Sequence, residues 1–538
     1  MIPLPPSTIP RGYWSDVVLA PDGRSLVVEA VDSTGSPTLW IRALNSDVMR
    51  ELPGTESCQM PFWSPDGKYV AYFDFDSGTL FKVAIDGGTP GRICDARNGR
   101  GGTWNQKGTI VFAPASSGPL MRVSAGGGEV TAVTVLDTAR GQTAHRFPVF
   151  LPDGDHFLFS ALPSASGLWD IYLGSLSSKS IKRILSAGST PVYAEPGFLV
   201  FERDGRVVAQ RFDKQRLELE GDPVALCTAP FRSDLDAEPV ASVSSNGHLT
   251  TLSSVPPNAQ LRIMESSGRL GPPISLPAAP WQVLDLTPDD DRALLHQGGA
   301  IWVLDLARGV PMRLAVTTAS NPTAVWAPDG QRVAFVSKQA GREEVHVIGL
   351  DGRVEVIPSN EDAFKMVSDW SADGRHVLFM SLNVRTAWDL WMLPMDGDRN
   401  AVPYLRGVEF EMGARVSPDG RWLAYSSNET GTIETYVQSF PVPGRKVRIS
   451  LDSGGGPNWS SVRQELRYGR GSSQFTVPYE SGESFRPGTP RPLREGPRGV
   501  TGGAGFRDGE RVLFSIAEDS RPPEIRLILN WHGLFAKK

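Results

Sequence analysis

The sequence is poor in cysteine, with Cys58, Cys94 and Cys227 in 538 residues. An odd count without CxxC spacing speaks against a disulfide framework and against a structural zinc site, and leaves buried thiols as the reading. No run of about 18 apolar residues is present, so no membrane-spanning helix is expected. The opening MIPLPPSTIPRGYW has neither the basic nor the apolar region of a signal peptide. As written, the chain reads as cytoplasmic. Excess positive charge is also missing. Lys and Arg total 54 against 60 Asp and Glu, a net charge of −6, which gives no electrostatic footprint for nucleic acid or acidic lipid. Catalytic signatures are absent: no GxSxG nucleophile elbow, no GxxxxGK[ST] phosphate loop, no HExxH and no kinase HRD or DFG. No cofactor, no metal and no catalytic residue is expected.

What the chain does have is a phrase that returns. FWSPDGKYVAYF, residues 62–73, is matched by LAPDGRSLVV from Leu19, FLPDGDHFLF from Phe150, WAPDGQRVAF from Trp326, WSADGRHVLF from Trp370 and VSPDGRWLAY from Val416. Pro presets φ for a turn, Asp bonds back to the backbone, and Gly takes the positive φ that other residues avoid. Tracking that glycine or its equivalent gives twelve positions from Gly23 to Gly509, spaced 40 to 50 residues apart. Asp290 and Arg463 stand where a glycine is expected. The spacing is that of a four-stranded propeller blade. Within the second unit PFWS, YVAYF, LFKVAI and GRICD read as four short strands of period 2, with Val70 and Tyr72 facing one neighbouring sheet. Fifty-six glycines and 44 prolines suit many turns and short strands.

The fold expected is all-β: two consecutive six-bladed β-propellers with four-stranded antiparallel blades, residues 1–268 and 269–538. Rings of seven and five, or eight and four, remain open alternatives. Each ring is expected to be closed by its own N-terminal strand. Ile2–Pro5 would complete the blade whose third strand is Gln260–Glu265, and Ile274–Leu276 the blade containing Ile525–Trp531.

These segments carry a resemblance. The SPDG blades are similar to TolB-type propellers. More closely, LWIRALNS, GTESCQMPFWSPDGKYVAYF, NGRGGTWNQKGTIVFAPASSGPLMRV, RFDKQRLELEGDPV, WDLWMLPMDGDR, VSPDGRWLAYSSNETG and YVQSFPVPG resemble the propeller half of bacterial, notably acidobacterial, eukaryotic-type serine/threonine kinases. In that family a kinase domain and a membrane helix usually precede the rings, which lie outside the cytoplasm. The sequence shows neither. The resemblance implies a WD-repeat-like signalling or protein-contact module without kinase activity.

The functional expectation is a non-catalytic scaffold binding a protein, peptide or small ligand, acting as a monomer without nucleic acid. The alternative is a propeller-mouth enzyme, a hydrolase or lyase using converging carboxylates. The candidate contact residues are Arg97, Asn98, Arg100 and Trp104 in RNGRGGTWN, and Arg140, His145 and Arg146 in RGQTAHR, one blade on, because arginine beside an aromatic suits an interface. Loops bonding across adjacent blades are the competing reading. The recurring Trp63, Trp104, Trp326, Trp370 and Trp459 read as packing between blades, and Trp14, Trp281 and Trp531 as structural. Pro288–Asp291 reads as a turn variant more than a calcium site, His156 and His376 as strand residues, and Ser426–Gly431 as a blade-edge loop.

Overall fold

The computed structural model describes residues 2, 17–31, 37–140, 142–161, 169–230, 238–253, 258–265, 267–317, 319, 322–339, 342–358, 365–383, 387–407, 409–430, 432–451, 453–470, 473–497, 500–508, 510–517 and 524–535. It is all-β, with short 3-10 turns at Thr138–Arg140 and Trp531–Phe535 as its described helical pieces. Among the described residues the strands form twelve antiparallel sheets, most of them four-stranded. The second repeat shows the pattern expected from its sequence: Cys58–Trp63, Tyr69–Asp74, Thr79–Ala84 and Gly91–Asp95 pair in order. The PDG turns behave as their chemistry dictates. Gly67 sits at φ 68°, and Asp290, standing in for a glycine, adopts φ 64°. Its carboxylate accepts the Arg507 N–H at 2.9 and 3.0 Å, so Pro288–Asp291 is a turn bonded to a neighbouring sheet.

Alternation buries both faces of each sheet. Val70 and Tyr72 pack with Val27, Leu39 and Ile41 of the first sheet. Phe73 points the other way, where a Cβ added at Gly99 would lie 2.0 Å from its ring, so glycine is required for that approach. Cys58 and Cys94 are buried, while Cys227 is half-buried, less enclosed than the buried-thiol reading expected. His156 and His376 open strands. Asn428 accepts the Phe410 N–H at 2.9 Å, as a blade-edge loop does. Trp14 and residues 3–5 lie outside the described residues.

The chain divides into two compact units, Met1–Val255 with Arg521–Lys538, and Pro256–Ser520. Six sheets fall in each. In the first unit the sixth sheet is Ser242–Val243, Leu249–Ser253 and Glu524–Ile528, with Ile2 bridging Ile525. It shares a core with the first sheet, Leu252 and Ile525 packing against Leu19, Leu26 and Val28. In the second unit the sixth sheet is Val500–Gly505, Val512–Ala517, Ala259–Met264 and Leu270–Ile274. There Leu261 and Leu513 pack with Trp281 and with Val283 and Leu295 of that unit's first sheet.

This corrects the expected closure. Ile2 and Ile274 do lie in the last sheets of their own units, but the strands beside them are exchanged. Gln260–Glu265 belongs with the second unit and Ile525 with the first. Leu-Arg-Ile-Met and Ile-Arg-Leu-Ile are near-identical alternating patterns. Period 2 assigns a face and leaves the partner strand to tertiary packing.

Candidate functional site

Each sheet's first strand runs into a tight turn, and the first turn residue is marked by its backbone bonds. Gly23 N–H donates to Ala20 O, Gly67 to Ser64, Gly108 to Asn105, Gly154 to Leu151, Gly197 to Ala194 and Gly247 to Ser244. Counting back two residues gives one equivalent position per sheet in the first unit: Val18, Phe62, Thr103, Val149, Val192 and Ser242. All six line a single cavity of about 570 Å³. The first strands of six sheets therefore face one common space.

The residue immediately before the turn is Leu19, Trp63, Trp104, Phe150, Tyr193 or Val243, and these line the cavity as well. Trp63 is buried and its indole N–H donates to Val18 O at 3.0 Å, tying the second sheet to the first. Thr103 Oγ1 accepts the Phe150 N–H at 3.1 Å. Ser242 Oγ accepts the Leu19 N–H at 2.9 Å. The last contact joins the sixth sheet to the first by the same device that joins the third to the fourth. Two carboxylates, Glu195 and Glu238, are among the lining residues, and among the described residues no lysine, arginine or histidine lines it. Glu195 accepts the Tyr193 hydroxyl at 3.2 Å and lies 3.6 Å from Lys214 Nζ. Burial and the adjacent Glu195 push the Tyr193 phenol upward, so it stays a neutral donor.

No protein-family model matches the sequence, and no curated protein matches it. Solved structures do show likenesses. A TolB protein from Agrobacterium tumefaciens is 16% identical over 51% of this chain and 99% of that one, with a TM-score of 0.39. TolB from Acinetobacter baumannii is 16% identical over 61% and 80%, with a TM-score of 0.36. The tricorn protease is 12% identical over 88% of this chain and 58% of that one, with a TM-score of 0.34.

Of the seven residues singled out from sequence, Trp104 lines the cavity. The two loops that carry the others do meet, since Phe147 N–H donates to Arg100 O at 2.9 Å. Arg100 lies over the Phe75 ring at 5.6 Å and donates to Asn98 Oδ1 at 2.6 Å. Arg97 is exposed, as is Arg140, whose Nε lies 3.4 Å from Asp137. His145 is 1% exposed, its two ring nitrogens bonded to Thr134 Oγ1 at 2.8 Å and Gln142 Oε1 at 3.0 Å, and burial lowers its pKa to about 4. Arg146 is buried over the Trp169 ring at 5.4 Å and donates to Ser116 O. The Arg100–Phe75, His145–Thr134 and Arg146–Ser116 contacts link segments of neighbouring sheets, while Trp169 lies in the same sheet as Arg146. The lining residues Val149, Val192, Glu195 and Ser242 escaped the sequence reading, although the position two before each turn was a usable signal.

In the second unit the same turn bonds start at Thr287, Ala327, Ser371 and Ser417, and matching bonds leave Ser460 and Phe506. Two before them stand Asp285, Val325, Asp369, Arg415, Asn458 and Ala504. Trp326 N–H donates to Asp285 Oδ2 at 2.8 Å, and Val416 N–H to Asp369 Oδ2 at 2.7 Å. Burial pushes Asp285 up to about 6 against the pull of Arg415, with Asp369 adding to the rise. Asp369 is raised by burial too, again opposed by Arg415. Among the described residues no three His, Cys, Asp or Glu side chains converge closely enough to hold a metal ion, and no helix is long and apolar enough to cross a membrane.

Proposed function

We propose that each unit is a closed six-bladed β-propeller and that the chain is a non-catalytic scaffold. Its first ring takes an extended segment of a protein or peptide partner into the central cavity. The observation that carries this is the 570 Å³ space faced by the first strands of six sheets. The Ser242–Leu19 bond and the shared core of sixth and first sheets support closure of that ring. In the second unit the Val283 N–H bonded to Ser515 Oγ at 3.3 Å has the same meaning. Closing the sheets hides both faces of each and removes bare edges.

The lining suits a main chain with apolar side chains: valines, Phe62, Trp63, Trp104 and Phe150 supply contact area, and Thr103, Asn105 and Ser242 supply a few polar groups. A mostly apolar concavity with sparse polar anchors is the usual form of a binding pocket. A sensory or protein-contact role agrees with the resemblance to kinase-associated propellers. The enzymatic alternative requires several carboxylates or histidines at one mouth. Asp285 and Asp369 are one pair of carboxylates at equivalent positions, and Arg415 accompanies them.

The test is selection of peptides from a random displayed library against the full chain, followed by measured affinities. Val149 is half-buried in the lumen, so Val149→Arg is expected to stay folded and to weaken selected peptides roughly a hundredfold, by burying an unpaired charge. Peptides that bind this variant and the parent equally would place recognition elsewhere.

A further inference from the structure

The lumen positions of the two units differ in a way that fastening does not explain. In the first unit the groups that accept the next sheet's N–H are hydroxyls, Thr103 and Ser242. At equivalent positions in the second unit the same bond is made by carboxylates, Asp285 and Asp369. A hydroxyl is sufficient for that bond, whereas an enclosed carboxylate carries a desolvation penalty. Two carboxylates at these places exceed what joining sheets requires.

A cation stands among them. Arg415 occupies the equivalent position of the fourth sheet, with one guanidinium nitrogen, Nη1, 3.6 Å from Asp369 Oδ1 and donating to Ser368 O. Its backbone carbonyl accepts the Trp459 indole N–H at 2.8 Å, which fixes the strand from which the side chain springs. The side chain is 35% exposed, and its Nε and Nη2 protons meet no acceptor among the described residues. Asp285, Asp369 and Arg415 come from the first, third and fourth sheets, each two residues before the turn, the position that lines the cavity in the first unit. Asp369 and Arg415 both act on the charge of Asp285. Asp285 and Asp369 each commit Oδ2 to a backbone N–H, and Asp369 turns Oδ1 toward Arg415 Nη1 with lone-pair capacity left for a further donor.

We propose that this waist of the second unit is a binding site for a small zwitterion with an ammonium and a carboxylate on one carbon, as in an α-amino acid. The unused Nε–Nη2 edge of Arg415 receives the carboxylate in a two-bond fork, the geometry guanidinium groups favour. Asp369 and Asp285 receive the ammonium through their second oxygens. The ligand supplies one charge of each sign, so it adds no net charge to a site that already holds two carboxylates and one guanidinium. A simple anion would meet the carboxylates, and a simple amine would leave the guanidinium edge unpaired. The site is distinct from the first unit's cavity and stands or falls independently of it.

The experiment is a thermal-shift screen of the full chain against the common L-α-amino acids at millimolar concentration, with calorimetric titration of those that stabilise it. At least one is expected to bind saturably. The matching amine without the carboxylate, and the matching acid without the amine, should bind at least about tenfold more weakly. Arg415→Gln and Asp369→Asn should each weaken the amino acid about tenfold or more. Arg415→Lys, which keeps the charge and loses the fork, should weaken it as well. Affinity should fall as pH drops through about 6, where Asp285 gains a proton. Absence of binding by every amino acid, a half-ligand that binds as well as the whole, or unchanged affinity in Arg415→Gln or Arg415→Lys would overturn the proposal. The half-ligand comparison needs no variant and stands even if a substitution unfolds the chain.

Discussion

Glu411 illustrates what a single buried group can report. It lies 8% exposed at the start of a first strand, directly across from Ser427 in the pairing register. Burial, then Asp389, Glu409 and Glu429, push its carboxyl up to about 8, with Lys446 opposing. The sign of its linkage follows. Between its unfolded pKa near 4.5 and its folded value, the native chain holds a proton that the unfolded chain has released. Stability from this group is therefore greatest in acid and falls as pH rises through that window, by at most about 1.4 kcal/mol per pH unit. Glu411→Gln should flatten that slope and be more stable than the parent above about pH 8, measured by urea unfolding across the range. An unchanged slope would show that Glu411 ionises normally in the fold. His145 makes the complementary point: its place in RGQTAHR suggested contact with a partner, but a histidine whose two nitrogens are bonded inside the sheet junction is committed to the fold.

At the level of strands and turns, the sequence was legible where chemistry is local. PDG turns, period-2 alternation and a tryptophan before the turn required no distant information. Trp63, Trp326 and Trp370 are buried, and Trp104 and Trp459 are half-buried, all at the same place before a turn. Trp63 and Trp459 share one bond, indole N–H to the preceding sheet's carbonyl, Val18 O and Arg415 O. Trp63→Phe should cost about 1–2 kcal/mol from loss of that bond, and Trp63→Ala about 3–5 kcal/mol from the cavity it leaves. Denaturant melts in which the two variants matched each other would show that the hydrogen bond and not the ring volume dominates. The candidate site was less legible. Loops rich in arginine and glycine stand out as single segments, whereas the first unit's cavity is faced by one equivalent position per sheet, about forty or more residues apart in sequence. Only alignment of the turns shows that Asp285, Asp369 and Arg415 hold equivalent positions, two residues before the turn in their sheets.

At the level of the whole chain, two strands with interchangeable patterns are assigned to units by non-local packing. Ala259–Met264 lies between Val512–Ala517 and Leu270–Ile274, while Glu524–Ile528 returns to pair with Leu249–Ser253. Trp531 follows, 2% exposed, its indole N–H on Gly247 O at 3.0 Å and its ring 5.3 Å from Phe198. The first unit is thus made from both ends of the chain and the second from its middle, a division that local sequence could not reveal. The most direct measurement is the folding of separated pieces, followed by circular dichroism and thermal melting. Residues 256–520 should fold cooperatively alone, and residues 1–255 should do so only when a peptide spanning 521–538 is added. A fragment 1–255 that melts identically with and without that peptide would contradict the account.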